Sequence, residues 1–198
     1  GIFGYGHKSK EFLEAAVNWQ KKRNGWDIEP EWILFTPGII PALSFIVETF
    51  CNRGDKVIIQ SPVYYPFANI IKDNGCHVVN NPLILNNGKY EMNFSELEEL
   101  AQDSRVKLMI LCSPHNPVGR VWTEEELKRL GEICIKNNVL VVADEIHSDL
   151  IYKPNRHIPF GKISEEFKMN SIICTSPSKT FNLAGLQVSN IIIPNKRI

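Results

Sequence analysis

The 198-residue sequence has a formal net charge of +0, with 43% hydrophobic and 22% charged residues. That length suits one large domain or two small ones, and the composition is that of an ordinary globular chain. Balanced charge leaves no footprint for nucleic acid or an anionic membrane, and no apolar run reaches the ~20 residues of a membrane span. The five cysteines are Cys51, Cys76, Cys112, Cys134 and Cys174. They are odd in number, scattered through apolar runs and without CxxC spacing. They read as core thiols of a reducing cytosol rather than disulfides or zinc ligands. The histidines show no HxH or HExxH spacing, so no metal is expected. The first residues lack the basic and apolar regions of a signal peptide. The sequence opens without Met and stops just after an apolar strand, so a fragment of something longer is expected.

In chain order, Ser9 to Arg23 reads as an amphipathic helix with Phe12, Ala16, Trp19 and Arg23 on one face. Asn24-Gly25 ends it. Trp32 to Phe35 is a short strand running into Thr36-Pro37-Gly38. A helix follows with Leu43, Ile46, Val47 and Phe50 inward, and Pro41 is tolerable only in its first turn. Lys56 to Gln60 is a strand, Ser61 to Pro66 a loop, and the next helix runs to about Asn74. Cys76 to Val79 is another strand, and Asn86-Asn87-Gly88-Lys89 a turn. Ser95-Glu96-Leu97-Glu98 has capping-box spacing, as does Thr123-Glu124-Glu125-Glu126. Val106 to Cys112, Val139 to Ala143, Ser171 to Thr175 and Val188 to Ile193 complete seven strand candidates. Strands alternating with helices predict an α/β fold with a mainly parallel sheet and right-handed crossovers, in one domain.

Chemistry concentrates where strands end. In open α/β sheets the carboxyl edge is where ligands bind. Ser176-Pro177-Ser178-Lys179 places an amine there, and a lysine amine can form a Schiff base with a carbonyl cofactor. Taken alone, Lys179 reads better as a solvated turn residue, because Ser-x-Ser-Lys is common by chance. Gly38 and Ile39 open a helix whose free N–H groups suit an anion, or merely start a helix. Tyr64 and Tyr65 offer flat rings for stacking, or are surface aromatics. Asn116 stands between Pro114 and Pro117, and an Asx-turn competes as its explanation. Asp144 follows Val-Leu-Val-Val-Ala, so its carboxylate is partly desolvated and wants a cation; an N-cap is the alternative. His147 lies one turn further on.

Taken together and in order, Gly38, Tyr64, Asn116-Pro117-x-Gly119, Asp144 and Ser176-x-Ser178-Lys179 resemble the type I fold of pyridoxal-phosphate enzymes, the aspartate aminotransferase superfamily. The match spans essentially the whole chain. Within that superfamily, Val63-Tyr64-Tyr65-Pro66-Phe67, Cys112-Ser113-Pro114-His115-Asn116-Pro117, Asp144-Glu145-Ile146-His147-Ser148-Asp149 and Ser178-Lys179-Thr180-Phe181-Asn182 look like the bacterial cystathionine β-lyase group. That group includes the maltose-regulon-modulator type of C–S lyase. The resemblance implies a three-layer α-β-α sandwich whose seven-stranded sheet has its last strand antiparallel. It also implies that residues 1–198 are a cofactor-binding large domain, without the N-terminal arm and the C-terminal small domain.

The resemblance also assigns roles. Lys179 would hold pyridoxal 5'-phosphate covalently and, once freed, take the substrate's Cα proton. Asp144 would face the pyridine nitrogen, and Asn116 and His147 the ring's 3' oxygen. Tyr64 would stack on the ring. The N–H groups around Ile39 and Ile40, with Ser176, would cradle the phosphate. Tyr5 resembles the tyrosine that reaches the phosphate of the neighbouring subunit, which implies a homodimer. Two positions depart from the aminotransferase pattern: Gln187 stands where an arginine usually follows the lysine, and His147 where a tyrosine is usual. Three readings result. The first is a cytoplasmic C–S lyase acting on cystathionine or cysteine-type substrates. The second is an aminotransferase on the same scaffold. The third is a protein-binding regulator that keeps the cofactor site for structure.

Overall fold

A period of two governs the centre of the molecule. In the computed structural model, which describes residues 8–198, strands β2 (Lys56–Ile59), β6 (Val106–Cys112), β7 (Leu140–Asp144) and β8 (Ser171–Thr175) are apolar at nearly every position. Successive side chains point to opposite faces. Val57, Leu108, Ile110, Val142 and Ile172 therefore enter one hydrophobic cluster, and Ile58, Met109, Leu111, Val141 and Ile173 enter the other. Both faces are buried, so a continuous apolar run rather than an alternation marks each strand.

The strands β1 (Ile33–Thr36), β3 (His77–Asn80) and β9 (Ser189–Ile192) complete a seven-stranded sheet in the order β1-β9-β8-β7-β6-β2-β3. β9 pairs antiparallel with both β1 and β8, and every other pairing is parallel. Helices α2 (Ile39–Phe50) and α3 (Pro66–Asp73) cover one face. On the other lie α1 (Lys10–Asn24), α4 (Phe94–Ala101), α5 (Glu124–Lys136) and α6 (Glu165–Met169), around Trp26, Trp122, Phe160 and Phe167. The result is the mainly parallel α/β sheet that the strand pattern predicts and the three-layer α-β-α sandwich that the resemblance implies. No helix among the described residues is long and apolar enough to cross a membrane.

Most boundaries fall within a residue or two of expectation, as helix and strand ends do. The Ser9 hydroxyl accepts from the Phe12 N–H at 3.2 Å to start α1, and Gly25 closes it at φ 60°. Thr123 and Glu126 form the reciprocal capping box of α5. The box expected at Ser95 is displaced. Asn93 caps α4 instead: its side chain accepts from the Glu96 N–H at 3.4 Å and donates to the Glu96 carboxylate at 2.9 Å. Asn is as good a cap as Ser, and two residues earlier it captures the whole first turn. Around Asn87 and Gly88, both at positive φ, the chain also forms a hairpin of β4 (Ile84–Asn86) and β5 (Lys89–Glu91) where only a turn is predicted.

Strand direction positions the site. β2, β6, β7 and β8 run the same way, and β1, two antiparallel steps from β8, shares their direction. All of these end at one edge of the sheet. β9 runs oppositely, so its beginning meets the same edge.

Candidate active site

Five strand ends and the start of β9 enclose a cleft of about 400 Å3 at that edge. The volume suits a small organic ligand. Ile39 and Ile40 line it from the first turn of α2, and Tyr64 from the loop after β2. Asn116 comes from the loop after β6, Asp144 and His147 from the end of β7, and Lys179 from the loop after β8. Seven side chains singled out from the sequence are thus brought together.

Each is placed by a local cause. Gly38 takes φ 112°, a conformation L side chains rarely adopt, and lets the chain swing from β1 into α2. The N–H groups of Ile39 and Ile40 lie at the helix start, without an intrahelical carbonyl to meet. Pro41 has no N–H, and the Ala42 N–H already bonds the Gly38 carbonyl at 3.3 Å. That terminus puts unpaired donors and the positive end of the helix dipole on the cleft wall, an arrangement that suits an anion. The Tyr64 ring packs edge-on against Phe67 at 5.8 Å, which fixes it as a wall. Tyr65 turns outward and is 74% exposed. The loop carrying Asn116 is closed by the Gly119 N–H to the His115 carbonyl and the His115 N–H to the Arg120 carbonyl, both at 2.8 Å.

Asp144 is the electrostatic centre. It is 5% exposed, and its Oδ1 accepts the Ile146 N–H at 3.1 Å. Burial raises its pKa from the usual 3.8 to about 7; the Ile146 hydrogen bond opposes the rise, the Glu145 charge adds to it, and the Lys179 charge opposes it. Burial, and then the Lys179 charge, hold His147 below its usual value, so its imidazole is neutral. Such a cleft suits a flat heteroaromatic cation: a carboxylate awaiting a positive partner, a ring for stacking, an amine for a carbonyl and a helix start for an anionic tail.

Two expected members fall elsewhere. Ser176 does not line the cleft; its hydroxyl donates to the Val188 carbonyl at 2.7 Å and also contacts the Ser178 hydroxyl. It braces the loop, and Ser178 is the serine on the wall beside Lys179. The reason is that the Ser176 hydroxyl is taken up inside the turn by the Val188 carbonyl and the Ser178 N–H, which leaves Ser178 at the cleft wall. Tyr5 lies outside the described residues. Gln187 does line the cleft, at φ 49°, just before β9. Among the described residues no group of three or more His, Cys, Asp or Glu side chains could hold a metal ion.

The sequence reading missed two features here. Glu145 points away from the cleft into the core, where its carboxylate meets His157 at 2.9 Å and accepts the Phe160 N–H at 2.8 Å. Nothing in the sequence signals this pairing, because the partners sit on separate loops. Asp149 joins three elements, and the only sequence hint is its place in the run Asp144 to Asp149.

Known proteins share the fold that carries this cleft. The family model "Aminotransferase class I and II" matches residues 1–198. The chain is 47% identical to cystathionine beta-lyase PatB of Bacillus subtilis over 196 residues, 99% of this chain and 51% of that protein. Cystalysin from Treponema denticola, whose crystal structure contains a pyridoxal 5'-phosphate cofactor, superposes with a TM-score of 0.97 at 41% identity, covering 100% of this chain and 50% of that one. The PLP-bound C-S lyase from Staphylococcus hominis superposes with a TM-score of 0.94 at 41% identity, over 99% of this chain and 50% of the other. The chain spans about half the length of the relatives it matches.

Proposed function

The chain belongs to the class I and II aminotransferase family, and from that premise we propose that it is the cofactor-binding large domain of a pyridoxal-phosphate-dependent carbon–sulfur lyase. The reaction is α,β-elimination: cystathionine or a similar cysteine derivative, with water, gives a thiol, pyruvate and ammonia. One observation carries the reading: the Lys179 amine and the buried Asp144 carboxylate share one cleft with Tyr64, Asn116 and His147. The identity to a cystathionine β-lyase and the fit to a C-S lyase structure support elimination over other outcomes.

When bound, pyridoxal phosphate supplies an electron sink for the pair left at Cα by proton removal. The residues present fit it. Asp144, buried and short of a cation, would pair with the protonated ring nitrogen. That partner favours the carboxylate's ionised form and opposes the rise that burial causes. Tyr64 would lie against the ring face, and Asn116 and neutral His147 would hydrogen-bond the ring oxygen. The α2 start at Ile39 and Ile40, together with Ser178, would hold the phosphate, and Gln187 would add an uncharged donor. Lys179 would anchor the aldehyde carbon and later carry the Cα proton, as a positioned general base. With the Cα proton held by Lys179, the Cβ–S bond would break and that proton could pass to the departing sulfur, which leaves as a thiol.

Tyr5 would complete the phosphate site of a second subunit in a cytoplasmic homodimer. An absorption spectrum of the full-length protein tests the cofactor: a yellow band, lost on borohydride treatment and absent in Lys179→Ala, is expected. Cystathionine should then yield pyruvate. Cofactor-dependent keto-acid exchange without pyruvate would move the assignment to an aminotransferase, the activity for which the family model is named.

A further inference from the structure

Lys179 sits in the middle of one tight turn. The Phe181 N–H bonds the Pro177 carbonyl and the Leu183 N–H bonds the Ser178 carbonyl, both at 2.9 Å. Whatever fixes Thr180 therefore fixes the lysine backbone beside it. His147 sits in a second turn, closed by the Ser148 N–H to the Glu145 carbonyl at 3.0 Å and the Leu150 N–H to the His147 carbonyl at 2.9 Å.

Asp149 joins the two turns and clamps both to α1. Its Oδ2 accepts the Thr180 hydroxyl at 2.8 Å and the Trp19 indole N–H at 2.9 Å. Its Oδ1 accepts from Arg23 Nε at 3.1 Å, and the carboxylate side chain is only 8% exposed. Trp19 also packs edge-on against Phe181 at 5.2 Å, on the other side of the lysine turn. Helix α1 precedes the whole sheet in sequence, yet it grips residues 180 and 181 from behind the cleft.

We propose that Asp149 is a positioning residue for Lys179: by holding the Thr180 hydroxyl against α1 it sets where the lysine amine stands relative to Asp144 and His147. It touches none of the reacting atoms itself. The proposal rests on the reading of Lys179 as the cofactor-anchoring amine. Misplacement of a reacting group by about 1 Å lowers rate by ~100-fold. A slackened turn should therefore lower kcat while KM, set by binding, changes little.

The test compares wild type with Thr180→Val, which keeps the shape but lacks the donor, Thr180→Ser, which keeps the donor, and Asp149→Asn. Pyruvate formation from cystathionine by the full-length holoenzyme is one readout. The other is the rate at which trinitrobenzenesulfonate labels Lys179 in cofactor-free protein, followed by peptide mass spectrometry. Thr180→Val should lower kcat by ~10- to 100-fold with KM within about twofold. It should also change the rate of Lys179 labelling by about threefold or more, as the exposed amine is no longer held at one place on the cleft wall. Thr180→Ser should restore both, and Asp149→Asn should fall between. If Thr180→Val melts earlier but labels and turns over like wild type, or if Thr180→Ser rescues neither readout, Asp149 is only a structural tie and the proposal is overturned. Should wild type form no pyruvate, the reading of the reaction falls, and the labelling comparison alone decides the role of Asp149.

Discussion

Replacing Asp144 by Asn should stabilise the protein when the cofactor is absent, although Asp144 is central to the cleft. The unfolded chain releases this proton near the usual 3.8, whereas burial makes the native state keep it to about pH 7. Between those values the native state binds the extra proton, so stability declines as pH rises. The contribution is fully present below the unfolded value and gone above about pH 7. A window roughly three units wide, at ~1.4 kcal/mol per unit, corresponds to about 4 kcal/mol. Asparagine never ionises, and its side-chain oxygen can still accept the Ile146 N–H, now at 3.1 Å. An imperfectly paired amide gives back about 1 kcal/mol. The variant should therefore match wild type within ~1 kcal/mol near pH 4 and exceed it by ~3 kcal/mol at pH 8. Urea unfolding of cofactor-free protein at intervals from pH 4 to 8, followed by tryptophan fluorescence, measures the difference. Groups common to both proteins cancel in that difference, His115 and His147 among them. A pH-independent difference, or a variant less stable than wild type at pH 8, would refute the reasoning.

Three further outcomes follow from packing and charge elsewhere. A methyl at Gly131 would sit 2.5 Å from Phe167 Cζ, and Phe167 is pinned by a stacked Phe160 at 5.2 Å. Thermal unfolding of Gly131→Ala should therefore show a loss of about 1–3 kcal/mol, although alanine is the better helix former. The His157 and Glu145 side chains are 2% and 1% exposed, so His157→Ala strands a buried carboxylate. Denaturant titration at pH 7 should show a loss of ~3–5 kcal/mol, partly recovered when Glu145→Gln is added. Burial depresses His115 from 6.5 to about 4. Its contribution is complete above the unfolded value and is lost as pH falls through the folded one, amounting to about 3 kcal/mol. Acid unfolding of His115→Gln should show a shallower slope between pH 6.5 and 4 than wild type.

How much of this was legible in the sequence follows from the sheet itself. A doubly covered parallel sheet writes its strands as unbroken apolar runs, so Val106 to Cys112 and Ser171 to Thr175 announce themselves. The same parallelism sends every strand end to one edge, so a polar residue just past an apolar run is brought to the cleft without further information. That is why Tyr64, Asn116, Asp144 and Lys179, distant in sequence, could be grouped before any coordinate. The reading weakened where a position depends on the direction a side chain takes within a loop. Ser176 and Ser178 look equivalent as letters, yet one braces the turn and the other faces the cleft. It also failed where two loops meet, as in the Glu145–His157 pair.

Asp149 shows the limit most clearly. Trp19 and Arg23 were placed on one helix face by periodicity, and both do point the same way. That face looked like an ordinary apolar stripe ending in a charge. What it meets is a carboxylate 126 residues downstream of Arg23, and hydrophobic spacing carries no information about such a partner. A stripe that ends in an arginine and includes an indole N–H is nonetheless a set of two donors one turn apart. The indole N–H is partly buried and needs an acceptor, whereas the exposed Arg23 can be satisfied by water. An acceptor for the indole was therefore implicit in the first helix, but not that it would be a carboxylate, since the Trp122 indole is satisfied by the Cys112 carbonyl. Only the fold could say that the residue meeting it would be the one that also holds the lysine turn.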